Sequence, residues 1–208
     1  MSGTKEIKSR IKSVRSTKKV TKAMELVSAS KMKRAVMATL ASRPYAKHSL
    51  DILHSLSHAQ TQYVHPFMTV RPVEKALVIL ITSNRSLCGG YNAQAIREAI
   101  TLLKNSEGVH TDFISIGSKG EAALRRMDQH IIASFNEFPA APIASEAFAV
   151  VDLAMKYYKE KDYDRVTVVY THFVSALMQE ARSEVLLPIL SHQDKEEGQR
   201  ADTIEYVF

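Results

Sequence analysis

The first 58 residues constrain the fold more than any other part of the chain. After Gly3 they contain no glycine, and their only proline is Pro44. Ile7, Ile11, Val14, Thr21, Met24, Ser28, Met32 and Ala35 recur at spacings of three, four and seven. That period places them on one side of an α-helix; a strand would bring every second residue to one face. Small residues (Ala23, Ser28, Ala29, Ser30) interleave with the larger ones and leave room for a second helix to approach. Thr4 is a candidate cap. Pro44 is expected to bend or break the helix, because it removes a backbone donor and crowds the preceding turn. A helix from Thr4 to His58 is roughly 80 Å long at 1.5 Å per residue. Such a helix outruns any domain this chain can build, so it is expected to project. A projecting helix with an apolar stripe is unstable in water without a partner. The competing reading is an ordinary surface helix packed on its own domain.

Charge separates this arm from the rest. Residues 1–34 hold eleven Lys and Arg against Glu6 and Glu25, a balance of +9. The remaining 174 residues carry 17 basic and 20 acidic groups, so the net charge of +6 hides a basic arm on a mildly acidic body. Lys5, Lys8, Lys12, Arg15, Lys18, Lys19 and Lys22 recur on the polar side. Nucleic-acid backbone, an anionic membrane surface and an acidic protein partner all suit such a face. No aromatic residue precedes Tyr45, which weakens base stacking and interfacial anchoring. The apolar stripe favours a helical protein partner. An Arg/Lys-rich start also suggests an organellar transit peptide, but those are acid-poor, and this pattern runs too far into the chain.

Past His65-Pro66 and Arg71-Pro72 the pattern changes. Ala76–Ile81 is a continuous apolar run, expected for a strand buried on both faces. The loop Ser83–Gly90 leads into a helix over Ala93–Leu103. A second strand covers Asp112–Ile116, and Gly117-Ser118-Lys119-Gly120 opens a helix over Glu121–Met127. Ile131–Phe135 is a third strand. Ser145 is expected to cap a helix from Glu146 to Lys159. Arg165–Thr171 is a fourth strand and Met178–Pro188 a fifth. Strands alternating with helices predict an α/β fold with a Rossmann-like, largely parallel sheet. The expected organisation is an N-terminal helix over 1–60, an α/β domain over 73–190, and a polar tail over 191–208.

Catalytic signals are weak. Gly89-Gly90 follows the first strand, where a doubly wound fold binds nucleotides, yet neither G-x-G-x-x-G nor G-K-[ST] is present. A tight turn explains the pair more simply. Cys88, the single cysteine, has no histidine near it in sequence and cannot form an intramolecular disulfide. The eight histidines (48, 54, 58, 65, 110, 130, 172, 192) match no metal-ligand spacing. His54 and His58 lie four apart but lack a third ligand. Asp162 and Asp164, beside Lys161 and Arg165, read as turn chemistry. We expect no catalytic site, metal or cofactor, and no apolar run long enough to span a bilayer.

The residues that open the chain carry a resemblance. Lys5-Glu6-Ile7-Lys8-Ser9-Arg10-Ile11, followed by Thr17-Lys18-Lys19-Val20-Thr21-Lys22-Ala23-Met24-Glu25-Leu26-Val27-Ser28-Ala29-Ser30-Lys31-Met32, closely resembles the first helix of bacterial F-type ATP synthase gamma subunits. Ser42-Arg43-Pro44-Tyr45, the run Thr82–Asn92 and Gly117-Ser118-Lys119-Gly120 match in order and spacing. The family usually has Asp-Arg-Gly-Leu-Cys-Gly-Gly where this chain reads Asn84-Arg85-Ser86-Leu87-Cys88-Gly89-Gly90. Glu205-Tyr206-Val207-Phe208 is similar to the family segment that precedes a long C-terminal helix. That helix is not in the sequence, so the chain is expected to be a fragment or a truncated product.

The resemblance implies a rotor subunit of the central stalk, peripheral on the cytoplasmic face of the cell membrane. Its implied partners are the alpha, beta and epsilon subunits and the membrane c-ring, with ATP chemistry left to beta and no role for nucleic acid. It implies rotor–stator contacts at Lys18, Lys19, Lys22, Met24, Arg85 and Cys88. Ile7, Ile11, Val14, Thr21, Ser28, Met32 and Ala35 form the stripe of half an antiparallel coiled coil. Two alternatives from the residues themselves remain, a basic nucleic-acid-binding protein and a nucleotide-binding α/β enzyme.

Overall fold

The computed structural model describes residues 2–58, 65–136 and 144–189. The chain divides into two units, Met1–Asp51 and Ile52–Phe208. The first lies within helix α1, Ser2–His58, which continues through Pro44. Its 57 residues correspond to about 85 Å of helix. The expected break at Pro44 does not occur. A helix tolerates one missing donor when the turns on either side keep their own bonds.

The second unit is an α/β sandwich. After a 3-10 turn at Pro66–Met68 come β1 (Lys75–Ile81), α2 (Tyr91–Asn105), β2 (His110–Ile116), α3 (Ser118–Arg126), β3 (Ile131–Phe135), α4 (Ala144–Lys159), β4 (Arg165–Phe173) and β5 (Gln179–Leu187). The five strands lie in the order β3-β2-β1-β4-β5. β1 pairs in parallel with β2 and β4, and β2 in parallel with β3. β5 returns antiparallel on β4 through a hairpin closed by Met178 N–H to Ser175 O.

The apolar run of β1 is central, and alternation along it feeds two cores. Val78 and Leu80 pack with Ala95 and Ala99 of α2, Phe113, Leu124 of α3 and Val169. Leu77 and Ile79 pack with Ile114, Val166 and, from α4, Val150, Ala154 and Tyr158. Helices therefore cover both faces, as a parallel sheet requires.

Side chains tie down the strand starts. Asp164 is not turn decoration: its Oδ2 accepts from the backbone N–H groups of Glu74 and Lys75, each at 3.1 Å. Arg71, whose guanidinium lies 4.5 Å from the centre of the Tyr158 ring, donates to the carbonyls of Tyr158 and Tyr163. Buried Asp112 meets His110 and His130 on Oδ1, at 3.3 and 2.8 Å, and accepts from the Tyr163 hydroxyl on Oδ2 at 2.6 Å.

Two starts differ from expectation. α3 begins at Ser118 rather than Glu121, and α4 already includes Ser145, which is therefore not a residue ahead of it. The tail over 191–208, with His192 and Ile204–Phe208, lies outside the described residues, as do the side chains of His54 and His58.

Candidate functional site

Two surfaces carry the residues singled out by sequence: α1, and the loop between β1 and α2. On α1 the stripe is uncovered. Ile7, Ile11, Val14, Thr21, Ser28, Met32 and Ala35 are all exposed, Val14 at 68%. Met24 is exposed as well. The stripe is not the whole of it. Val20, Val27, Leu26, Met37 and Leu40 are also exposed large apolar residues. At about 100° per residue, Val20 and Val27 fall on one flank of the stripe, while Leu26 and Met37 fall well around the other side. A helix that packs on one partner has one apolar face; apolar residues on several sides leave α1 with more uncovered apolar surface than a single partner helix would cover.

Lys19 lies within the basic face, Lys22 falls at its border with the stripe, and Lys18 falls between Ile7 and Ile11 on the edge of the stripe itself. Lys22 pairs with Glu25 at 2.9 Å and Arg10 with Glu6 at 2.9 Å, all four side chains well exposed. Such exposed pairs contribute no more than about 1 kcal/mol each and weaken in salt. The basic face is therefore available to another surface at little cost.

The loop sits where the strand order reverses, at the carboxyl ends of β1 and β4, the place a doubly wound fold uses for ligands. Here side chains fill it. Thr82 Oγ1 accepts from Gly120 N–H at 2.8 Å. Gly117, at φ 96°, passes so close that an added Cβ would lie 2.3 Å from Thr82 O, which explains the glycine. Asn92, on the first turn of α2, reaches back: Oδ1 accepts from Ser83 N–H at 2.9 Å, and Nδ2 donates to Ser83 Oγ at 2.9 Å and to Cys88 Sγ at 3.1 Å. The Ser83 hydroxyl donates onward to Arg85 O at 2.7 Å.

Asn84 clasps the loop from the other side. Its Nδ2 donates to Asn136 O at 2.6 Å, and its Oδ1 accepts from Ser118 N–H at 2.8 Å. That bond caps α3 from another element, so the helix starts where no local capping signal exists. Beside it, Glu121 gathers the Ser134 hydroxyl, the Asn136 amide and the Arg125 guanidinium. These donors, Ser134 first, hold its carboxyl down at about 2.

This scaffold presents Arg85, Leu87 and Cys88 to solvent. Leu87 is 90% exposed and sits at φ 66°, which is costly for a residue with a side chain. Gly89 takes the next positive φ, 57°, and accounts for half of the Gly-Gly pair as turn chemistry. Asn84 and Asn92 were missed because their roles depend on partners supplied by the fold. The only local sign is two asparagines bracketing a Gly-containing turn.

A small concavity bounded by Val78, Leu102, Leu103, Val109 and Arg165 lies towards the strand starts, away from this loop. Among the described residues no group of three or more His, Cys, Asp or Glu is arranged to hold a metal ion. No helix among them is long and apolar enough to cross a membrane.

A long helix with uncovered apolar residues and a hydrogen-bonded, solvent-facing loop suit a protein that docks into an assembly. Comparison with known proteins names the assembly. The family model described as ATP synthase matches residues 3–208. An ATP synthase gamma chain of Acidithiobacillus ferrooxidans is 37% identical over 210 residues, covering 100% of this chain and 73% of its own. One from Legionella pneumophila is 35% identical over 198 residues, covering 94% of this chain and 69% of its own. A chain in the cryo-EM structure of the Tetrahymena thermophila mitochondrial ATP synthase central stalk and c-ring superposes with a TM-score of 0.65 at 25% identity, covering 89% of this chain and 80% of that one. The chain belongs to the ATP synthase gamma chain family, the rotor subunits of the F-type enzyme.

Proposed function

We propose that this chain forms the central stalk of a proton-translocating F-type ATP synthase, carrying ion-driven rotation to the nucleotide sites of the beta subunits. The observation that carries the reading is α1, a 57-residue helix with exposed apolar residues on more than one side. Half of its enclosure is supplied by an antiparallel helix along the Ile7–Ala35 stripe, and the rest by the ring of alpha and beta subunits. The chain works as a non-catalytic subunit: its loop at the sheet's switch point is filled by Asn92, Ser83 and Cys88 in place of a ligand. The α/β domain over 73–190 sits with the epsilon subunit and the c-ring, peripheral on the cytoplasmic face of the cell membrane.

In this reading Lys18, Lys19, Lys22 and Met24 face acidic stator surfaces as the shaft turns, and Arg85 and Cys88 meet the same stator from the loop. One shaft biases several stator conformations only through contacts that differ between them, since equal contacts shift no equilibrium. Screened lysines and flexible methionine suit this task, because their contacts break cheaply.

Reconstitution with alpha and beta subunits tests the proposal, scored by co-elution and ATPase activity, with and without a family C-terminal helix supplied in the same chain. Co-elution and stimulated ATPase activity in either form support it. Failure of both forms to bind would refute it.

A further inference from the structure

We propose that Asn92 is a positioning residue for the stator contact: it sets the geometry in which Arg85, Leu87 and Cys88 are presented. The inference rests on the reading of the β1–α2 loop as part of the rotor's contact surface, and it names the residue on which that surface depends.

Leu87 and Gly89 both hold positive φ, 66° and 57°, with Cys88 between them. A leucine leaves this conformation readily unless its surroundings over-determine it. Its own side chain contributes nothing to holding it, being 90% exposed. The restraint must come from neighbours: Tyr91 N–H donates to Cys88 O at 3.2 Å, and three side-chain bonds converge on one amide.

Asn92 is anchored by α2 and uses three of its hydrogen-bonding positions on this loop. Its Oδ1 holds the loop's start through Ser83 N–H, 2.9 Å away. One Nδ2–H holds Ser83 Oγ at 2.9 Å, which orients that hydroxyl to donate to Arg85 O at 2.7 Å. The other reaches Cys88 Sγ at 3.1 Å, holding the residue next to the strained Leu87. Asn92 therefore touches both ends of the loop directly, and reaches the carbonyl of the exposed arginine only through the Ser83 hydroxyl, which also lies 3.1 Å from Asn92 Oδ1. Asn84 secures the flank through Asn136 O and Ser118 N–H, but it touches neither Arg85 nor Cys88. Only an amide of this length both accepts at the loop's start and donates at its end, since a carboxylate lacks the donors and a serine lacks the reach.

That division gives two variants with distinct signatures. Asn92→Asp keeps an acceptor for Ser83 N–H but replaces the donor at Cys88 with a negative charge. Asn92→Ala removes both. In the purified chain, exchange of the Ser83 amide is expected to stay slow in Asn92→Asp and to speed up by about tenfold or more in Asn92→Ala. Alkylation of Cys88 by iodoacetamide at fixed pH is expected to slow roughly three- to tenfold in Asn92→Asp, because the carboxylate opposes the reactive thiolate.

The functional readout is protons pumped per ATP hydrolysed by the assembled enzyme, with Arg85→Ala as reference. Asn92→Ala is expected to co-elute normally with alpha and beta and to lower that ratio as far as Arg85→Ala does. An unchanged ratio in Asn92→Ala alongside a lowered one in Arg85→Ala would overturn the assignment and leave the rotor contact standing. An unchanged ratio in both would instead overturn the loop as a contact, and this inference with it. Unaltered Ser83 exchange and Cys88 alkylation in the two Asn92 variants would overturn the inference whatever the pumping result.

Discussion

The buried pair Asp112–Tyr163 offers the most quantitative test of how the α/β domain is held together. The Tyr163 hydroxyl donates to Asp112 Oδ2 at 2.6 Å, and both residues are buried, at 6% exposure each. Removing one partner differs physically from removing both. In Asp112→Ala the two histidines lose little, because His110 and His130 are mostly exposed and their N–H groups turn to water. The tyrosine hydroxyl has no such recourse, and an orphaned buried hydroxyl costs about 1–3 kcal/mol. The lost charge-assisted bond and the small void bring the expected total to about 2–4 kcal/mol. Tyr163→Phe should cost less, about 1–2 kcal/mol, since Asp112 retains both imidazoles on Oδ1.

In the double variant the orphaned group is gone, so its cost should fall short of the sum by about 1.5–3 kcal/mol. Hydrogen exchange at the Val78 and Ile79 amides is the suitable assay, because buried residues of the central strand β1 are expected to open only with the whole domain. Fluorescence is a poor substitute in a chain with no tryptophan and eight tyrosines. A coupling below about 0.5 kcal/mol would refute the reasoning, because it would mean that water or a histidine satisfies the hydroxyl. The same pair predicts an alkaline signature. Burial first, then the Asp112 carboxylate, push the Tyr163 phenol far above its ordinary 10.0. A raised folded value gives stability that is full below pH 10 and lost as pH rises beyond it, a slope that Tyr163→Phe should flatten.

Three further outcomes follow from single sites. The Glu121 carboxyl sits near 2 in the fold against 4.5 when free, so its contribution is complete above 4.5 and lost as pH falls towards 2; acid titration of Glu121→Gln by hydrogen exchange should be flatter across that window. Gly117→Ala should destabilise the domain by about 2–4 kcal/mol in the same assay, combining a φ of 96° with a Cβ 2.3 Å from Thr82 O, and a loss under about 1 kcal/mol would contradict the close approach. Met24→Lys, at an exposed site on α1, should lower protons pumped per ATP in the assembled enzyme more than it lowers co-elution with alpha and beta, and an unchanged ratio would remove Met24 from the contact surface.

The legible parts of the sequence were those with a local cause. β1 stood out because a parallel strand covered on both faces must be apolar at every position, and Ala76–Leu80 is buried throughout. α1 stood out because its period survives for many turns without glycine. α3 began earlier than expected because its first N–H is capped by Asn84 Oδ1, a partner 34 residues away. β5 read as a strand but not as an antiparallel one, since direction is set by the hairpin at Ser175–Met178 rather than by its own residues. Asp112 lies 18 residues from His130 and 51 from Tyr163, so no spacing rule could have joined them. Of the candidate site, Arg85 and Cys88 came from the resemblance, whereas Asn84 and Asn92 emerged only when the fold set them around the loop.

The two candidate surfaces answer opposite demands, which argues for their working together in one function. On α1 the polar contacts are short-range and exposed, Lys22 with Glu25 and Arg10 with Glu6, and the large apolar residues include Met24, Met32 and Met37. Thioethers repack without loss of contact, and screened ammonium groups change partners cheaply. On the proposed reading, such a surface would meet a succession of differently shaped neighbours without being held by any of them. The loop is built the other way, with Asn92 bonded to Cys88 Sγ beside a leucine at positive φ and Asn84 bonded to Asn136 O on its flank. A surface that yields along its length transmits little force by itself. On the proposed reading, load applied to Arg85 would pass through Ser83 and Asn92 into α2 and the sheet, so that a stiff projection lets rotation be felt at a definite angle. For a rotor that must slip past its stator yet impose a sequence upon it, the soft helix and the rigid loop are complementary requirements.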